Sequence, residues 1–274
     1  MLDLGDPRFL RVLDGTPPEL GALLSYGLAG MAARLLSRDW PADARLPRSE
    51  VTLLAPLPRP PLILGVAHNY HDAVAERGMA PPSEPVVFEK ADYSVIGPDE
   101  PIVLPPSIGG VTYEGELAVV LGRSAHDVPS VSAMEYVAGY MAFNDVSASE
   151  LIRSSGSLER GKNFRTFGPL GPCLVTADEV PEPHALSLIT TVDGRRVQDS
   201  NTAQLICGVA DLVSRLSHVR RLPVGTIIAT GTPAGVAPLQ SPPTWLTPGS
   251  MVTISLENVG ELTNPVVQGE CAYE

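Results

Sequence analysis

The chain has 274 residues, 44% hydrophobic and 18% charged, enough to bury a full core within one main domain. Its formal charge of −12 at pH 7 argues against nucleic acid and anionic membranes as partners, because no basic stripe is available to neutralise phosphates. Three widely spaced cysteines, Cys173, Cys207 and Cys271, offer neither a disulfide framework nor a zinc knuckle, so a reducing, cytoplasmic setting is expected.

The first residues, Met1-Leu2-Asp3-Leu4-Gly5-Asp6, are acidic where a secretory signal is basic. The apolar stretch 20–36 is interrupted by Ser25, Gly27, Gly30 and Arg34, so no membrane span is expected there. Thr16-Pro17-Pro18-Glu19 has the form of a capping box with proline in the first turn, which predicts a packed helix over 20–36 in a small N-terminal segment, residues 1–57. Prolines at 47, 56, 58, 60 and 61 end that segment and open the main domain, residues 58–274.

Beyond the prolines, the apolar run 62–66 reads as a strand. Next comes Tyr113-Glu114-Gly115-Glu116-Leu117, continuing apolar on both faces to Leu121, the pattern of a central strand. Period-two alternation puts Glu114 and Glu116 on one face, and Asp145 closes another strand-like run, 140–144. Carboxylates held close together repel unless a cation lies between them, and hard carboxylate oxygens point to Mg²⁺ or Mn²⁺. Taken alone, Glu-x-Glu is met more often on the solvated side of an edge strand than at a metal.

Further strands are predicted over 174–176, 186–192 and 226–229. Leu205, Val209, Leu212 and Leu216 recur at helical spacing and predict an amphipathic helix over 200–217 that covers a sheet. Residues 251–256 alternate with period two, turn at Asn258-Val259-Gly260 and return through 261–267 as a hairpin. No repeat, heptad or low-complexity tract occurs. With 28 prolines, 25 glycines and few helices, the pattern favours a strand-rich α+β chain over a βαβ parallel architecture.

Several motifs in this order resemble the fumarylacetoacetate hydrolase family: Asn69-Tyr70, Phe88-Glu89-Lys90, Tyr113-Glu114-Gly115-Glu116-Leu117, Val137-Ala138-Gly139-Tyr140 with Asn144-Asp145-Val146-Ser147, Gly161-Lys162 with Gly171-Pro172, Asp193-Gly194 with Gln198, and Gly231-Thr232-Pro233-Ala234-Gly235. The resemblance spans about residues 58 to 268. It implies a mostly β, mixed β-roll catalytic domain, a homodimer, and Mg²⁺ or Mn²⁺ as cofactor. By position it implies Glu114, Glu116 and Asp145 as metal ligands and Lys162 as a catalytic lysine beside the metal. Tyr70, Lys90, Gln198 and Thr232 then match substrate-binding positions.

Departures from that pattern are as informative. Hydrolytic relatives carry N-Y-x-x-H-x-x-E, whose histidine and glutamate form a water-activating dyad on a lid. This chain reads Asn69-Tyr70-His71-Asp72-Ala73-Val74-Ala75-Glu76, keeping the glutamate as Glu76 but holding Ala73 at the histidine position. His71 stands two residues earlier, about 200° away around a helix, and is no simple substitute. His68, just before Asn69-Tyr70, offers an imidazole as a new acid or base, although a hydrogen-bonded histidine without catalytic duty has the same signature. Ser149-Glu150 replaces the family's arginine-aspartate pair, and losing a guanidinium that often engages a substrate carboxylate weakens the case for a small dicarboxylate such as oxaloacetate unless Arg153 or Arg165 compensates from nearby.

The sequence therefore predicts a metal-dependent enzyme acting on a 2-oxo acid or 1,3-dicarbonyl, a hydrolase or decarboxylating lyase breaking a C–C bond, with Lys162, Glu76 and His68 as catalytic groups. The alternative is an isomerase, dehydratase or cyclase on the same scaffold, with a larger and less acidic substrate. A non-catalytic relative is disfavoured by the intact carboxylate cluster.

Overall fold

The computed structural model describes Leu24 and residues 50–270. Except for Leu24, the predicted helix over 20–36 and its capping box lie outside the described residues, as does Cys271. Leu24 is helical and buried, packed against Leu57, Ile63, Phe143 and Ile227.

In chain order the strands are β1 (Ile63–Ala67), β2 (Val86–Lys90), β3 (Val95–Ile96), β4 (Ile102–Leu104), β5 (Val111–Thr112), β6 (Gly115–Leu121) and β7 (Val137–Asn144). They continue as β8 (Ser147–Ala148), β9 (Gly168–Thr176), β10 (Ser187–Val192), β11 (Arg195–Asn201), β12 (Ile227–Ala229), β13 (Met251–Leu256) and β14 (Gly260–Gln268). Four α-helices accompany them among the described residues: α1 (His71–Glu76), α2 (Ser149–Ser155), α3 (Leu158–Lys162) and α4 (Val209–Val219).

A seven-stranded sheet runs β2-β1-β12-β6-β7-β9-β3, a five-stranded sheet runs β11-β10-β13-β14-β4, and β5 pairs with β8. Parallel pairs, β1 with β12 and β3 with β9, sit among antiparallel ones, so the large sheet is mixed. β6 is buried along its whole length, as its apolar run requires of a central strand. Leu117, Val119 and Leu121 join a core with Leu188, Ile254 and Leu262 of the five-stranded sheet, so the two sheets share one interior.

The strands over 62–66, 140–144, 174–176, 186–192 and 226–229 and the C-terminal hairpin appear at or within two to six residues of their predicted limits. The helix expected over 200–217 does not begin until Val209. Ser200 and Asn201 instead pair with Leu188 and Ser187 at the end of β11, and Leu205 bridges Tyr70. α4 buries Leu212, Val213 and Leu216, while its Ser214 Oγ donates to the Val128 carbonyl at 2.7 Å.

Candidate metal centre and substrate cavity

Glu114, Glu116 and Asp145 converge where β6 begins and β7 ends. Gly115 lies opposite Asn144 in the β6–β7 pairing, and the Asp145 N–H donates to the Glu114 carbonyl at 2.9 Å. Glu114 stands just ahead of the strand rather than within it, held by its N–H on Asn144 Oδ1 at 3.0 Å. One carboxylate oxygen from each acid lies within 4.8 Å of the others.

Two buried lysines meet this cluster. Lys162 Nζ donates to Glu114 Oε2 at 2.8 Å, Asp145 Oδ2 at 2.5 Å and Ser147 Oγ at 2.7 Å, so its three N–H groups are all engaged. It also lies 5.0 Å from the centre of the Phe88 ring. Lys90 Nζ donates to Asp145 Oδ1 at 2.8 Å and to the Lys162 carbonyl at 2.5 Å. Glu116 Oε2 accepts the Gly231 N–H at 2.9 Å. Gly231 has a φ of +101°, and a Cβ there would lie 2.8 Å from the Val66 carbonyl oxygen, so only glycine brings this N–H to the acid.

Burial pushes the Glu116 carboxyl well above its ordinary pKa, and the Asp145 and Glu114 charges push it further. Burial also raises Glu114, with Lys162 opposing. Asp145 moves down, because Lys162 and Lys90 outweigh its own burial. For Lys162 the carboxylates outweigh burial and hold the ammonium charged, whereas burial dominates at Lys90 and lowers it. Counted at formal charge, three carboxylates face two ammonium groups with one negative charge in excess, and the raised Glu116 and Glu114 show how poorly these carboxylates tolerate one another without a cation. An all-oxygen donor set with that excess fits a hard divalent cation.

A cavity of about 190 Å³ opens onto the three acids. His68, Ala73, Arg77, Phe88, Ser149, Arg153, Lys162 and Thr232 are among the residues lining it. That volume is below the roughly 300–1,000 Å³ of pockets for drug-sized ligands, which suits a small acid better than a bulky substrate.

His68 follows β1 with a φ of +58°, a left-handed conformation unusual for a residue with a Cβ. Its half-buried imidazole has no hydrogen-bond partner among the described residues. Burial lowers its pKa, and the positive charges of Arg77 and Lys162 lower it further, which favours the neutral imidazole. Ala73 is buried on α1, and His71 is exposed.

Glu76 is exposed and accepts the Gly235 N–H, at 3.3 Å on Oε1 and 3.1 Å on Oε2. Gln198 is buried and not part of the cavity wall. Its Nε2 donates to Thr232 Oγ1 at 2.8 Å and to the Pro233 carbonyl at 3.1 Å, while Oε1 accepts from the Gly115 N–H at 3.0 Å and Thr190 Oγ1 at 2.7 Å. Every polar site of Gln198 is used within the protein, and its Nε2 fixes the hydroxyl of Thr232, which lines the cavity. Tyr70 packs on Ala73 and Leu205 outside the wall; its hydroxyl has no hydrogen-bond partner among the described residues, and burial raises its pKa.

Arg165 is exposed and off the cavity, contrary to the expectation that it compensates for the guanidinium missing at Ser149. Arg153 does line the wall, with an exposed side chain 3.9 Å from Glu150. Arg77 is the guanidinium that sequence reasoning missed. Its place one turn after Ala73 on a short helix was the available signal.

No helix among the described residues is long and apolar enough to cross a membrane. Residues 62–267 match the family model described as fumarylacetoacetate (FAA) hydrolase C-terminal. A human protein named oxaloacetate tautomerase FAHD2A, mitochondrial, is 39% identical over 263 residues, covering 94% of this chain and 83% of that protein. The crystal structure of 5-carboxymethyl-2-hydroxymuconate delta-isomerase from Mycobacterium smegmatis superposes with a TM-score of 0.73 at 40% identity, covering 82% of this chain and 85% of that one. A fumarylacetoacetate hydrolase from the psychrophile Exiguobacterium antarcticum gives a TM-score of 0.79 at 32% identity, covering 92% and 89%. The relatives that this chain resembles are thus named as tautomerase, isomerase and hydrolase alike. With its mixed sheet, its carboxylate triad and a model match over most of its length, the chain belongs to the fumarylacetoacetate hydrolase family.

Proposed function

We propose that this protein is a divalent-metal-dependent tautomerase of a small 2-oxo dicarboxylate such as oxaloacetate, shifting a proton between carbon and oxygen without breaking a C–C bond. The observation that carries the reading is the base available at the cavity. Ala73 has no acid–base chemistry, and Glu76 is engaged with a backbone N–H, whereas His68 is an imidazole favoured in its neutral form and lining the same space as the triad. The leading expectation from the sequence is C–C cleavage by hydrolysis or decarboxylation; hydrolysis is weakened because Ala73 stands where hydrolytic relatives carry the water-activating histidine, and decarboxylation is told apart from tautomerisation by its release of CO₂.

Glu114, Glu116 and Asp145 would hold the ion. When bound, Mg²⁺ or Mn²⁺ supplies Lewis-acid polarisation of the 2-oxo acid. In enolisation His68 takes the proton from the carbon beside the carbonyl and delivers it to the oxygen; in ketonisation it takes the enol O–H proton and delivers it to that carbon. Lys162, with no N–H to spare, contributes a fixed positive charge that favours the enolate from nearby. The Thr232 hydroxyl donates to the Gly115 carbonyl at 3.0 Å and accepts from Gln198, which fixes that part of the wall.

The test follows enol oxaloacetate by its ultraviolet absorbance with and without Mg²⁺, while a coupled assay records CO₂. Metal-dependent ketonisation and deuterium uptake at the carbon next to the carbonyl, with no CO₂ above the metal-only rate, are expected. Catalysed CO₂ release, or ketonisation no faster than in buffer, would sink the reading.

A further inference from the structure

We propose that Arg77 is the carboxylate clamp of this cavity, binding the end of a dicarboxylate opposite the one held at the triad; only the identity of that dicarboxylate rests on the tautomerase reading.

Among the described residues, Arg77 is the one arginine that is not exposed. It lines the cavity with the three acids, yet no carboxylate of the described residues lies within ion-pair distance of it. Some surface arginines have such partners, Arg215 meeting Glu84 at 2.7 Å and Arg196 meeting Asp199 at 2.7 Å, while others lie in solvent, where a lone charge costs little; among the described residues Arg77 is set apart by being partly buried in the cavity wall without an ion-pair partner. A half-buried guanidinium left without an anion is costly, and a ligand carboxylate offsets that cost through two parallel N–H bonds.

The local geometry favours this use. Arg77 follows α1 in αR conformation, and its Nη1 donates to the Ala73 carbonyl at 3.0 Å. This bond ties the guanidinium to the turn containing Ala73, where a methyl replaces the bulk of an imidazole. Arg77 also lowers the pKa of both His68 and Glu114, which puts its charge within electrostatic reach of the base and a metal ligand. Charge balance agrees: a divalent ion on the triad leaves the buried groups with one net positive charge, Arg77 adds a second, and a dianion neutralises both.

The test is calorimetric titration of the Mg²⁺-loaded protein with two inert ligands sharing one head group, oxamate and N-oxalylglycine. Only the second carries a distal carboxylate. Arg77→Gln should weaken N-oxalylglycine on the order of tenfold to a hundredfold and leave oxamate unchanged. Arg77→Lys should recover part of that loss, since it keeps the charge but not the fork. Unchanged oxamate affinity also certifies that the variant is folded, and Arg123→Gln on the exposed surface serves as control. Equal weakening of both ligands, or of neither, overturns the clamp. If the two ligands separate but no tautomerase turnover exists, the clamp stands and the tautomerase reading falls. Turnover without separation overturns the clamp alone.

Discussion

Glu76 on α1 grips the N–H of Gly235 with both carboxylate oxygens, across 159 residues of chain. One turn earlier Asp72 accepts from Ser200 Oγ at 2.5 Å and from the Ala234 N–H at 3.3 Å. Two acids on one face of α1 thus fasten the helix to the loop that carries Gly231 and Thr232. Replacing Glu76 with alanine should cost about 1 kcal/mol of stability and speed amide exchange at Gly235, with a rise in KM larger than any fall in kcat. Complete loss of turnover in a folded Glu76→Ala protein would instead make Glu76 a catalytic group.

Mg²⁺ should stabilise the protein by its binding free energy. At a concentration a hundredfold above Kd that amounts to about 2.7 kcal/mol, readable as a rise in Tm. Glu116→Gln should abolish the shift, because it removes a charge from the centre while leaving the volume nearly unchanged. A full shift in that variant would mean the ion binds elsewhere.

Lys162 bridges Glu114 and Asp145, so Lys162→Met strands two buried carboxylates. Without metal the variant should lose about 3–5 kcal/mol in chemical denaturation. Mg²⁺ should restore more stability to it than to the wild type, since the ion then relieves carboxylate repulsion that the ammonium used to relieve. Equal stabilisation of both proteins would show that the ammonium and the ion act independently.

His68→Asn keeps a residue tolerant of the left-handed backbone while removing the base. Turnover should fall on the order of 10²- to 10⁴-fold. In the wild type the base works unprotonated and its pKa is depressed, so activity should persist below pH 6.5 and fall only as pH drops through the lowered value. Arg77→Gln removes one of the charges that depress it and should move this acid limb to higher pH. A kcat profile with an unmoved limb in both variants would assign the titration to another group.

The carboxylate triad was legible because its members sit at strand ends whose apolar runs announce themselves: the acids flank 117–121 and close 140–144, and neighbouring strands bring them together. The C-terminal hairpin was legible for the same local reason. The start of α4 was not, because Leu205 continues the helical spacing by coincidence while its backbone bridges Tyr70. What was not readable was the setting of Arg77 and Gln198: the sequence names Gln198 only by resemblance, and the place of Arg77 one turn after Ala73 was a signal without a partner to give it meaning. The chemistry of each depends on what folds opposite, an unpartnered cavity wall for one and a saturated ring of hydrogen bonds for the other. Arg165 misled because nearness in sequence to Lys162 does not carry its side chain to the same wall.

The three acids are tied by a single rung between adjacent strands, Gly115 opposite Asn144 with the Asp145 N–H on the Glu114 carbonyl. His68, Ala73 and Arg77 belong instead to a separate short stretch, which follows β1 and includes the helix after it. On the reading proposed above, the site divides in two: three acids built into the sheet that would hold the ion, and a ten-residue cassette, 68–77, that would carry the acid–base chemistry. Exchanging the cassette between relatives should exchange their chemistry while leaving the affinity for the ion intact.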